Sequence, residues 1–146
     1  MHHEGFMMLR IYILAAILLG SMSFLRAQTK EIQLVIGDSL TLGPCTGEKE
    51  FSSIDLMIKT RWPRQDLTYN KETGEGFYNW FFNGDIDSGR LPCKYSGQKF
   101  RIASIHQYDK EGGGIRTVVF GQVSADEAVV LWIEIDDAVA NGEVTF

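Results

Sequence analysis

The chain has 146 residues, with 14 Lys and Arg against 19 Asp and Glu and a net charge of −5. That length suits one domain, and the acidic balance with no basic run excludes the clustered positive surface that nucleic acid requires. Two cysteines and three histidines leave little material for a metal centre.

In chain order, the first feature is the apolar run Ile11-Tyr12-Ile13-Leu14-Ala15-Ala16-Ile17-Leu18-Leu19 behind Arg10, followed by Gly20, Ser21 and Ser23 and then Leu25-Arg26-Ala27. This is the layout of a secretory signal peptide, and the expected cut follows Ala27. The apolar run is too short for a membrane helix, which needs about 20 such residues, so residues 1–27 are expected to be a signal peptide and no span is expected after its removal. The remaining residues 28–146 carry 18 acidic and 12 basic side chains and are expected to be periplasmic or extracellular.

Ile32, Leu34 and Ile36 alternate with polar residues, and Leu40 and Leu42 alternate with Ser39 and Thr41. This period of two predicts two short strands, or one bent strand, around a tight turn or bulge at Gly37-Asp38. Cys45 and Cys93 are the only cysteines, and export would place them where thiols oxidise. A bridge between them would close a loop worth about 4 kcal/mol on the chain-entropy model.

A strand is predicted over Ile54–Trp62, stopped by Pro63. From Arg64 to Gly97 glycines and Pro92 punctuate a stretch that reads as loops. Within it lies the densest aromatic cluster, Phe77-Tyr78-Asn79-Trp80-Phe81-Phe82. Rings on a loop stack on sugars or fill a partner's pocket, so Tyr78, Trp80 and Phe82 are the candidate ligand contacts. The competing reading is that these rings plug the open end of a small barrel. Asn83 to Gly89 spaces oxygen ligands as calcium loops do, but Ser88 and Lys94 stand where glycine and glutamate are needed, so a solvated turn is expected. His106 has no second nitrogen or sulfur partner for zinc; no metal and no cofactor are expected.

The C-terminal half alternates more clearly. Strands are predicted over Lys99–Tyr108, with a phase slip at Ala103-Ser104, over Ile115–Val123 and over Ala128–Ile133, joined by glycine-rich and acidic turns into a meander. Residues 134–141 can form two helical turns, with Gly142 at the C-cap position and Asp136-Asp137 near the start. Together these elements predict an all-β fold, a small SH3-like or OB-like barrel or a sandwich, with a short C-terminal helix.

Gly37-Asp38-Ser39-Leu40-Thr41-Leu42-Gly43 after Leu34-Val35-Ile36 resembles block I of the GDSL or SGNH lipases and esterases, whose serine is the nucleophile. That resemblance covers about ten residues and implies a base in an Asp-x-x-His block. Here Ala103 precedes His106 by three residues, and Asn83-Gly84-Asp85 reverses the family's asparagine block. A serine without a base is a weak nucleophile. The chain is also similar at both ends to small exported bacterial proteins of unknown function, through Ile32-x-Leu34-x-x-Gly37-Asp38-x-Leu40-x-Leu42-Gly43 and Ala138-Val139-x-x-Gly142-Glu143-Val144. This similarity implies a compact β-domain and offers no catalytic residues to carry over. The expectation is therefore a secreted, non-catalytic binding or structural module for a glycan, peptide or protein, with a serine esterase using Ser39 as the alternative.

Overall fold

The computed structural model describes residues 32–146; the expected signal peptide lies outside them. Leu34–Phe146 make one compact unit. Its strands are β1 (Ser39–Leu42), β2 (Glu50–Lys59), β3 (Ile86–Pro92), β4 (Lys99–Asp109), β5 (Ile115–Gln122), β6 (Val129–Glu134) and β7 (Val144–Thr145). Two short helices, α1 (Phe77–Phe81) and α2 (Ile135–Ala140), complete the unit, with a single 3-10 turn at Cys93–Tyr95. The fold is all-β, as the alternation predicts.

All strands join one antiparallel sheet in the order β3-β2-β6-β5-β4-β1-β7. The expectation of a closed barrel is corrected, because the outer strands β3 and β7 do not pair with each other. Closure is not needed to protect these edges: β7 is two residues long, and β3 carries Asp87, Arg90, Gly89 and Pro92, all features that discourage further strand pairing.

Alternation along the central strands sends side chains into two separate cores. One face gathers Leu40, Leu42, Ile54, Phe100, Ile102, Val119, Leu131 and Ile133 beneath Ile135 and Ala138 of α2. The other gathers Val118, Phe120 and Val130 beneath Phe77, Trp80 and Phe81 of α1. The aromatic cluster is thus a helix lying on the sheet, and its buried residues fall at the i, i+3, i+4 spacing of one helical face.

The predicted meander is present as β4-β5-β6, and the phase slip is a bulge. Ile102 pairs with Gly121 and Ser104 with Phe120, leaving Ala103 unpaired. One extra residue inverts the side-chain alternation. Phe100 and Ile102 face the α2 core before it, and Ser104, His106 and Tyr108 share the α1 face after it. Residues 32–35 form no strand; Leu34 and Ile36 pack against the α2-side core instead. Gly37, at φ 93°, turns the chain, and its N–H donates to the Ile102 carbonyl (2.8 Å). Cys45 and Cys93 are bonded, with Cα atoms 5.3 Å apart. Helix α2 ends before Gly142 at φ 79°, as its sequence predicts.

The terminal patterns meet each other. Leu42 pairs with Val144, and the Gly43 N–H donates to the Glu143 carbonyl at 2.8 Å. A Cβ on Gly43 would sit 2.1 Å from the Gly142 carbonyl oxygen, so glycine is required for this approach. The Glu143 side chain is fully buried and accepts hydrogen bonds from the backbone N–H groups of Ser52 (2.7 Å), Ser53 (2.9 Å) and Thr46 (3.3 Å) and from the Thr46 hydroxyl (2.5 Å).

Candidate functional site

The bulge in β4 builds a cleft on the α1 face. Because it turns His106 and Tyr108 onto the α1 face, both rings stand beside Tyr78 on the solvent side of α1. Gly74 then brings the loop before α1 against the bulge: its φ is 72°, and a Cβ there would lie 2.9 Å from the Ala103 carbonyl oxygen. The result is a cleft of about 780 Å³ floored by Ser104, His106 and Tyr108 and walled by Thr73, Glu75 and Tyr78.

A second cleft of about 460 Å³ shares Tyr108 and adds Trp132, Arg116 and the Asp109-Lys110-Glu111 turn. The two form one aromatic groove. Ring centroids run Tyr78 to His106 at 5.3 Å, His106 to Tyr108 at 6.3 Å and Tyr108 to Trp132 at 5.9 Å, the last two pairs stacked at 26° and 22°. Phe120 lies edge-on to both His106 and Trp132, fixing the row from below.

Charge is unevenly placed along this row. Arg116 sits about 6 Å over the Tyr108 and Trp132 rings and pairs with Glu134 at 2.5 Å, while the Trp132 indole N–H donates to the same carboxylate oxygen at 3.1 Å. At the other end Glu75 is the one charged side chain lining the larger cleft, and it makes no ion pair among the described residues. Burial holds the His106 imidazole below its ordinary pKa, so it is neutral near pH 7. Burial, reinforced by Tyr78, pushes the Tyr108 phenol up, and its buried hydroxyl has no hydrogen-bond partner among the described residues.

The three predicted contact rings separate. Tyr78 is 38% exposed and lines the groove. Phe82 is half-buried against Tyr78 and Trp132, a support for the row. Trp80 is 8% exposed and belongs to the core, packed on Trp62, Tyr69 and Phe77, so its placement as a ligand contact is corrected. Its carbonyl accepts from buried Lys59 at 2.5 Å, whose ammonium lies 3.9 Å from the Trp62 centroid. His106, Tyr108 and Trp132 are not marked as groove residues by the sequence because each sits in a well-formed strand; the phase slip at Ala103-Ser104 is the signal that two of them change face.

Ser39 is an exposed residue of β1 opposite Arg101, five positions along β4 from His106, about 17 Å at the rise of a strand. The structure does not bring that serine and histidine together. Among the described residues no three His, Cys, Asp or Glu side chains gather to hold a metal ion, and no helix is long and apolar enough to cross a membrane. No protein-family model, curated protein or solved structure matches the chain.

Proposed function

We propose that this protein is an exported, non-catalytic binding module whose ligand lies in the groove of Tyr78, His106, Tyr108 and Trp132. The observation that carries the reading is the continuous ring row: a sheet that needed only to cover Val118, Phe120 and Val130 could finish with polar side chains. Here four aromatic residues extend the covered face into a half-exposed strip. Such rings offer large contact area at small cost in side-chain entropy. The Cys45–Cys93 bond fits an oxidising compartment, which supports export. The separation of Ser39 from His106 supports binding over ester hydrolysis, since a serine needs a base within hydrogen-bond reach.

A glycan and peptide array probed with the wild type and with Tyr108→Ala tests the proposal. Binding by the wild type that drops at least about tenfold in the variant is expected, given the weight of central aromatic contacts. Equal binding by both would place the ligand elsewhere. Ester turnover that disappears in Ser39→Ala would overturn the non-catalytic half of the reading.

A further inference from the structure

We infer that the larger cleft takes a cationic side chain, the guanidinium of an arginine carried on a partner polypeptide. The inference rests on the groove being the binding site and adds the chemistry of its occupant. Two places in the molecule already show how these rings are used. Arg116 lies over Tyr108 and Trp132 with Glu134 as counter-ion, and Lys59 lies over Trp62 beneath the Trp80 carbonyl. Each joins a cation, an aromatic face and an oxygen acceptor, the combination that makes cation–π contacts favourable when partly desolvated.

The larger cleft repeats the last two parts and lacks the first. It has the Tyr78 and His106 rings, 5.3 Å apart, and the Glu75 carboxylate, with no lysine or arginine in its lining. His106 is neutral near pH 7, so it does not repel a cation. The Tyr108 ring lines both clefts and offers a further aromatic face beside His106. Charge along the lining of the two clefts points the same way: Glu75, Asp109 and Glu111 outnumber Lys110 and Arg116, and Arg116 is already paired with Glu134. A carboxylate or phosphate ligand would meet Glu75 with no cation to offset it. A guanidinium suits the site better than an ammonium because its plane can stack on a ring while its edge donates to Glu75. The second cleft continues the surface beyond Tyr108, giving the residues on either side of that arginine somewhere to lie, which favours a polypeptide over a small free amine.

The test titrates the full protein with capped Gly-Gly-Arg-Gly-Gly, with the same peptide carrying Glu for Arg, with arginine amide and with a neutral N-acetylglucosamine tetramer, reading amide and ring NMR shifts. The arginine peptide is expected to shift Tyr78, His106 and Tyr108 signals and to bind more tightly than arginine amide, while the glutamate peptide does nothing. Glu75→Gln is expected to weaken the arginine peptide about tenfold, the scale of one charge-assisted contact, and added salt to weaken it further. Because Glu75 is exposed on a loop, an unchanged melting temperature verifies that the variant is folded. Equal affinity for the arginine and glutamate peptides, or no effect of Glu75→Gln, overturns the inference. Tetramer binding at the same residues without arginine-peptide binding overturns it and leaves the groove reading standing; silence at the groove from every probe counts against both.

Discussion

Replacing Glu143 tests whether the join between the two ends of the domain is held by one buried carboxylate. Its side chain is 0% exposed and accepts four hydrogen bonds, three from backbone N–H groups. Of the donors, Ser53 is buried and Thr46 and Ser52 are exposed, so water can replace part of what the latter two lose. A charge-assisted bond is worth about 1.5–3 kcal/mol and a buried donor left unpaired costs about 1–3. Glu143→Ala is therefore expected to destabilise by about 3 kcal/mol. Glu143→Gln, which keeps the shape and one acceptor oxygen, should cost about 2, or roughly 8 °C in melting temperature at about 4 °C per kcal/mol for a domain of this size. Burial by itself would raise this carboxyl's pKa, but the hydrogen bonds from Ser52, Thr46 and Ser53 outweigh it and hold the value below the ordinary 4.5. The stabilisation is therefore complete above that ordinary value and is lost as pH falls through the depressed folded value. Thermal melts of wild type and Glu143→Gln across the acid range check both statements. A gap under about 2 °C at neutral pH, or one that does not shrink on acidification, would refute the reasoning.

Three other substitutions probe the frame and the groove. Gly74→Ala puts a Cβ 2.9 Å from the Ala103 carbonyl oxygen on a backbone at φ 72°; a cost of about 1–3 kcal/mol in chemical denaturation is expected, with shifted NMR signals for Thr73 and Glu75, and a change below about 0.5 kcal/mol contradicts the packing. Gly121→Ala meets Phe100 Cδ2 at 2.6 Å and Ile133 Cδ1 at 3.3 Å, so overpacking of about 1–3 kcal/mol is expected in the same measurement, with the groove signals unmoved. For His106, burial lowers the folded pKa from 6.5, so the unfolded chain takes up the proton first and stability falls as pH drops from that value to the folded one. His106→Gln should remove this part of the pH dependence in melting curves; identical profiles for variant and wild type would contradict it.

Much of the frame is legible wherever one strand face is apolar and the next residue is not. The meander and its acidic and glycine turns follow from alternation, and α2 follows from its acidic first turn and Gly142. β3 is hidden because an edge strand can carry Gly89 and Pro92 and expose most of its residues, erasing the pattern that marks a strand. α1 is hidden for another reason: five residues are too few for periodicity to rise above the surrounding glycines, although Phe77, Trp80 and Phe81 already stand at helical spacing. Strand number and spacing suggest barrel closure but do not report whether the outermost strands meet. The aromatic cluster marks the sheet face that carries the groove but does not separate exposed Tyr78 from buried Trp80, because which ring of a short helix faces inward is settled by the sheet beneath it.

The bulge at Ala103 links frame to site. Without the extra residue β4 would keep one phase, and His106 and Tyr108 would point with Phe100 and Ile102 into the core under α2, where an imidazole and a phenol would need partners that this core of aliphatic and phenyl groups does not supply. With it, the strand gives up one ladder pair, an expense that stability alone does not reward. What it gains is the placement of two polar-edged rings beside Tyr78, under a loop that Gly74 allows to approach. The local break in pattern, the close glycine contact and the unpartnered Tyr108 hydroxyl thus converge on one cleft. Each departs from what a purely structural sheet would favour, and it is this cleft that the proposed ligand would occupy.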